Sequence, residues 1–315
     1  MKIVRFSQNG HAPRLGCFLG QDRIADLEAT ATAYLAGRGV VRAATIAAAL
    51  FPADSTRGFL EGGSASQEML TAMMDAARAG KFQPVAHALG SVRLHAPIAD
   101  PGKFICIGLN YASHIKEMGR ELPKYPTLFA KFAGTLIGAR DPILLPRVSE
   151  QVDWEVELGV VIGRPARHVS GEAAAAAIAG YTVINDISVR DYQSHTNQFL
   201  AGKIFEHTTP VGPALVTLDE LPGGGADLAV RCEVDGQVMQ DSRTSDLLFG
   251  PAEIIAYVSQ IITLEPGDLI ATGTPAGVGA ARTPPVWLRP GQVVRTLVEG
   301  VGECLNPCQR EPAAG

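Results

Sequence analysis

Val152-Asp-Trp-Glu-Val-Glu-Leu-Gly-Val-Val-Ile162 is the stretch from which this chain is best read. Trp154, Val156, Leu158, Val160 and Ile162 share one parity, and Asp153, Glu155 and Glu157 share the other. That two-residue period predicts a β-strand with an apolar face and an acidic face. Adjacent carboxylates on one strand face repel unless a positive charge sits between them. A second segment, Asn185-Asp-Ile-Ser-Val-Arg-Asp191, adds Asp186 directly after the apolar run Tyr181 to Asn185. Three carboxylates with water in the remaining positions suit magnesium, manganese or calcium rather than zinc. Alone, a Glu-x-Glu pair is more often the solvated side of a half-buried strand. Its weight here comes from its companions.

Composition excludes several function classes. A net charge of -5 and a pI near 5.8 give no electrostatic reason to expect nucleic acid or an acidic membrane as partner. No apolar run approaches the roughly 20 residues that span a bilayer. The opening Met1-Lys-Ile-Val-Arg-Phe6 reads as a strand, and the expected location is the cytoplasm. The five cysteines, at 17, 106, 232, 304 and 308, form no redox or zinc pattern and are expected as free, buried thiols.

The first unit, residues 1–98, is expected to be a small α/β domain. Its predicted strands are Lys2 to Phe6, Arg14 to Leu19 and Arg23 to Leu27, and its predicted helices cover 42–50 and 66–79, the second capped by Ser64. The segment Ala96 to Gly102 reads as a linker. Residues 99–315 form the second unit, with strands at Phe104–Gly108, Val152–Ile162, Gly180–Asp186, Val211–Val216, Leu228–Val234, Asp268–Thr272 and Val293–Glu299. Helices are expected at Glu172–Ala179 and Pro251–Ile262, the latter with proline in its favoured first turn. Many strands and few helices predict a mixed, β-rich fold, a barrel or sandwich rather than a doubly wound sheet.

Five segments in this order resemble the fumarylacetoacetate hydrolase family. They are Ile107-Gly-Leu-Asn-Tyr-Ala-Ser-His-Ile-Lys-Glu-Met-Gly119, Asp153-Trp-Glu-Val-Glu157, Asn185-Asp-Ile-Ser-Val-Arg-Asp-Tyr-Gln193, Gly202-Lys-Ile-Phe-Glu206 and Ala271-Thr-Gly-Thr-Pro-Ala-Gly-Val-Gly279. The resemblance runs from about residue 100 to 307 and implies a β-roll-like catalytic domain that pairs into a homodimer. It implies a divalent metal, Mg2+ or else Mn2+ or Ca2+, on Glu155, Glu157 and Asp186. Strand parity reached the first two independently. The chain departs from many relatives at Lys131-Phe-Ala133, where they carry Lys-Pro-Pro, and at Glu206, where they carry Asp.

His114 and Glu117 sit one helical turn apart; on their own they read as a polar, solvent-facing short helix, and the resemblance makes them a pair in which the carboxylate orients the imidazole as a general base. The resemblance makes this segment, Tyr111 to Lys124, a lid over the metal, expected to lie displaced until substrate binds. Lys203, in apolar company, either snorkels or points at an anion; by resemblance it belongs to the active site and stabilises an oxyanion or enolate. Arg190 and Gln193 either assist it or end a solvated loop. Gly273-Thr274 is either a plain tight turn or a cradle for a substrate carboxylate, with Thr274 contributing its hydroxyl. The expected reaction is hydrolysis of a carbon–carbon bond in a 1,3-diketo acid of the acylpyruvate type. The alternative is isomerisation or tautomerisation of an unsaturated oxo-diacid, or decarboxylation of the oxaloacetate type, at the same site.

Overall fold

A computed structural model describes residues 1–117, 119 and 121–313. Met118 and Arg120, within the segment read as a lid, lie outside the described residues, as do Ala314 and Gly315. The fold is β-rich, as the pattern predicts. One sheet of 12 strands runs in the order Ala86–Ala88, Arg23–Asp26, Arg14–Leu19, Lys2–Ser7, Thr209–Val216, Ile178–Asn185, Val156–Ile162, Leu269–Ala271, Phe104–Gly108 and Thr127–Ala130, with two short strands paired off this path. A second sheet of five strands contains Gln237–Arg243, Ala229–Val234, Val293–Val298, Gly302–Arg310 and Ile143–Leu145. Among the described residues, no helix is long and apolar enough to cross a membrane.

The strand Val156–Ile162 lies inside the large sheet and is buried along its whole length. Its two faces enter different cores. Val156, Leu158, Val160 and Ile162 join a cluster with Val230, Cys232, Val294 and Cys304 of the five-stranded sheet. Val161, of the other parity, joins Ile3, Phe59, Met73, Phe104 and Leu215, beneath the N-terminal helices. The acidic parity is therefore not the solvated face that a Glu-x-Glu pair taken alone more often marks. It is covered, and its acids are buried.

The N-terminal strands continue the same sheet, since Lys2 and Ile3 pair antiparallel with Val216 and Leu215. Several predicted boundaries shift for local reasons. The third strand stops at Asp26, whose side chain accepts from Ala29 N–H at 3.0 Å and caps an unpredicted helix, Leu27–Ala36. The helix expected over 66–79 spans Gly63–Arg78, so Ser64 lies inside it and caps nothing. The expected helix 172–179 ends at Ala175, and Ile178 already begins a strand.

Candidate metal and active site

The predicted strand over 152–162 is interrupted, and the interruption builds the site. Val152–Asp153 pairs separately with Ser188–Val189. The long strand resumes at Val156, opposite Asn185. At the break, Glu155 N–H donates to Asn185 Oδ1 at 3.0 Å, and Asp186 N–H donates to the Glu155 carbonyl at 2.9 Å. This stitching sets Asp186 beside the two glutamates. One carboxylate oxygen from each of Glu155, Glu157 and Asp186 lies within 4.8 Å of the others.

Buried cations surround these acids. Lys203 Nζ donates to Glu155 Oε2 at 2.6 Å and to Asp186 Oδ2 at 2.7 Å. Of its two sequence readings, the structure has the one in which it points at anions. Arg190 lies 2.7 Å from both Asp153 Oδ2 and Glu155 Oε1, and its Nη1 donates to Gln193 Oε1 at 2.9 Å. Lys131 Nζ is 2.8 Å from Asp186 Oδ1, outside good hydrogen-bonding geometry, and donates to the Ile187 carbonyl at 3.3 Å.

Burial opposes charge on Glu155, yet Lys203 and Arg190 overcome it and bring the carboxyl down to about 2. Glu157 goes the other way, pushed well above the usual carboxylate range by burial and by the neighbouring Asp186 and Glu155. Its one hydrogen-bond donor of note is Gly273 N–H, at 2.7 Å. A buried carboxylate beside two others, with an amide as its hydrogen-bond donor and no ion pair among the described residues, fits a cation-binding set. The three acids can hold a hard divalent metal, with all-oxygen ligation.

Above the acids sits the short helix Ala112–Glu117. The chain enters it through Leu109, held at φ 55, a left-handed conformation uncommon for a non-glycine residue. His114 Nδ1 is 3.0 Å from Glu117 Oε2, and Glu117 Oε1 accepts from Gly277 N–H at 3.2 Å. Residues 111–117, read as part of a displaced lid, are docked in this structure. That reading counted the polar side chains and missed Tyr111 and Ile115, both fully buried. Ser113 further ties the helix down, donating through N–H and Oγ to Asp246.

His114, Glu155, Glu157, Arg190, Gln193, Lys203 and Thr274 line one cavity of about 460 Å³. Glu117 and Asp186 stand one contact behind it, through His114 and Lys203. Part of the glycine-turn reading needs correction. Gly273 N–H is spent on Glu157, and Thr274 Oγ1 donates to the Val156 carbonyl at 2.9 Å while accepting from Gln240 Nε2 at 2.8 Å. This turn braces the acidic strand before it can cradle any ligand.

Four further residues shape the site. Asp153 accepts from Arg190 and from the Gly279 and Ala280 N–H groups. Gln240 reaches from the second sheet to Val156 N–H at 3.0 Å. Asn110 fixes the root of the helix by donating to the Thr272 and Phe249 carbonyls. Lys131 holds Asp186. Lys131 did carry a signal, a lone lysine in the apolar run Leu128 to Ala133, and Asp153 shares the acidic parity; Gln240 and Asn110 carried none.

A family model for the fumarylacetoacetate (FAA) hydrolase C-terminal region matches residues 103–309. Among curated proteins, the chain is 46% identical over 213 residues to a Bos taurus protein named oxaloacetate tautomerase FAHD2A, mitochondrial, covering 67% of this chain and 68% of that one. Among solved structures it is similar to a fumarylacetoacetate hydrolase from psychrophilic Exiguobacterium antarcticum, with 32% identity, TM-score 0.77, and 99% and 100% of the two chains covered. A 5-carboxymethyl-2-hydroxymuconate delta-isomerase from Mycobacterium smegmatis is 30% identical, with TM-score 0.73 over 99% and 100% of the chains.

Proposed function

This chain belongs to the fumarylacetoacetate hydrolase family, and we propose that it is a magnesium-dependent enzyme interconverting the enol and keto forms of a 2-oxo acid, with oxaloacetate as reference substrate. The observation that carries this reading is the placement of His114 in one cavity with Glu155 and Glu157, its Nδ1 committed to Glu117. An ionised Glu117 accepts from Nδ1–H, which leaves Nε2 as the nitrogen free to exchange a proton. Tautomerisation asks for that alone: one proton leaves the 2-hydroxyl, one arrives at C3, and no water is consumed.

In this proposal Glu155, Glu157 and Asp186 are the protein ligands. When bound, the divalent cation supplies Lewis-acid polarisation of the 2-oxo group. His114 moves the proton, and Glu117 holds the imidazole in register and stabilises its charged form. Lys203, fixed between Glu155 and Asp186, adds positive potential where charge develops on the 2-oxygen. Arg190 clamps Glu155 and holds Gln193 at the cavity wall.

The preference for carbon–carbon hydrolysis is revised. It rested on the presence of His114 with Glu117, yet that pair serves proton transfer to carbon equally well, and the similarity to proteins named oxaloacetate tautomerases favours the alternative. Hydrolysis of an acylpyruvate-type diketo acid stays as the second reading, supported by likeness to the Exiguobacterium hydrolase. The test adds freshly dissolved enol oxaloacetate to protein with magnesium or with chelator and follows the enol absorbance. A magnesium-dependent acceleration of its decay is expected, with oxaloacetate, not pyruvate, as product. Cleavage of acylpyruvate without effect on enol decay would select the second reading.

A further inference from the structure

The cavity has a second half with different chemistry. Part of its wall is built from Phe129 and Phe199, with Ile107 and Leu109 also in the lining, and Lys203 Nζ stands 5.0 Å from the centroid of the Phe129 ring. The two rings meet edge to face, with centroids 5.9 Å apart at 77°. Both side chains are only partly buried, so aromatic surface is left facing the cavity. Gly108 makes the room for this pair: a Cβ there would lie 3.2 Å from Phe199 Cε2 and 3.7 Å from Phe129 Cε1. Phe199 opens the tight turn Phe199–Gly202 that delivers Lys203, so the aromatic wall and the buried ammonium come from one segment.

The cations of this cavity are already committed. Lys203 is shared by Glu155 and Asp186, and Arg190 by Asp153 and Glu155. Among the described lining residues, no other lysine or arginine is present to receive a second substrate carboxylate. Ser194, Thr196 and Asn197, also in the lining, carry no charge, so a carboxylate set against the two phenyl rings would lose water without gaining a countercharge of its own, whereas an apolar group there gains from the same desolvation.

We propose that Phe129 and Phe199 form a subsite for an aryl substituent on C3 of the substrate, so that the enzyme prefers an aromatic 2-oxo monocarboxylate to a 2-oxo dicarboxylate. The inference rests on the tautomerase reading and names its substrate class.

The test measures kcat/KM for tautomerisation of phenylpyruvate, 4-methyl-2-oxopentanoate and oxaloacetate by the full chain with magnesium. Wild type is expected to rank them in that order. Phe199→Ala should lower kcat/KM for phenylpyruvate by about 10- to 100-fold, the scale of losing contact with one buried ring, and narrow its advantage over oxaloacetate by at least about tenfold. Phe199→Leu, the gentler change if the Ala variant folds poorly, should narrow it less. A wild type that prefers oxaloacetate, or a ratio unmoved by both variants, would overturn the subsite. Should wild type turn over none of the three, the tautomerase reading fails instead. Calorimetric binding to the magnesium-loaded protein then decides the subsite by itself: phenylpyruvate binding more tightly than oxaloacetate, and losing that margin in the variants, supports it, and equal binding refutes it.

Discussion

Lys203 serves Glu155 and Asp186, Arg190 serves Asp153 and Glu155, and Lys131 faces Asp186, which leaves Glu157, among the described residues, with no ion pair, only the Gly273 amide and the more distant charge of Lys203. The acids of one site should therefore respond in opposite ways to replacement. Glu157→Gln removes a charge that burial and its neighbours disfavour, so chelator-treated protein should melt at the same or a higher temperature while magnesium affinity drops. Glu155→Ala strips a partner from two buried cations, so it should cost about 3 kcal/mol or more of stability besides abolishing metal binding. Thermal melts with chelator, beside calorimetric titration of magnesium, separate the two; a Glu157→Gln protein as fragile as Glu155→Ala would contradict this balance of charges. His114→Ala is expected to slow tautomerisation on the order of 100-fold while metal affinity stays within error, because the imidazole is not a proposed ligand. At this scale the sequence was readable where chemistry had a period: parity exposed Glu155 and Glu157. It was mute on which cation answers which acid, since those pairs join residues up to 55 positions apart, as Lys131 and Asp186 do, and leave no local trace.

Elements were legible in proportion to their length and regularity. The strands at Lys2–Ser7, Arg14–Leu19, Ala229–Val234 and Val293–Val298 fall within a residue or so of expectation. The break after Asp153 was not visible, because alternation continues straight through Trp154 and Glu155 and the ladder is diverted by the side chains of Asn185 and Gln240, which lie far along the chain. Short elements fixed by tertiary contact were equally hidden, among them the tight turn ending at Gly202. A Cβ on Gly202 would stand 2.5 Å from the Val189 carbonyl oxygen and 2.5 Å from Gln193 Cβ. Neither the backbone of Val189 nor the short helix Arg190–Gln193 can retreat without moving Arg190. Gly202→Ala should thus cost about 1–3 kcal/mol as overpacking and depress activity beyond what stability explains, since Lys203 is the next residue. Chemical denaturation gives the first quantity and kcat at saturating magnesium the second. Full kcat in a destabilised variant would mean that Lys203 does not need this turn to find its carboxylates.

For the whole molecule, the sequence divided the chain near residue 98, and the structure joins what that division separates. Composition and turn spacing report where the chain pauses, whereas docking depends on surfaces that complement each other across two hundred residues. Lys2 and Ile3 continue the large sheet by pairing with Val216 and Leu215, and Thr217 N–H donates to the Met1 carbonyl at 2.9 Å. The shared core is apolar from both sides: Ile3, Leu15, Phe51, Phe59 and Met73 of the first segment meet Phe104, Val161, Ile184, Val211 and Leu215 of the second. Val161 and Ile184 belong to the two strands that also present Glu157 and lead into Asp186. Removing residues 1–98 would therefore bare one face of the sheet that carries the acids and strip Leu215 and Val216 of their strand partner, exposing a piece of sheet edge as a template for aggregation. A fragment of residues 99–315 is expected to be insoluble, or to melt well below the full chain, and to bind magnesium more weakly because its acidic strand has lost its backing. Co-expression of residues 1–98 as a separate chain should restore solubility and metal affinity together. A fragment that stays monodisperse, melts cooperatively at the full-chain temperature and titrates magnesium with unchanged affinity would establish two independent domains, and the coupling of N-terminal packing to the carboxylate site would have to be given up.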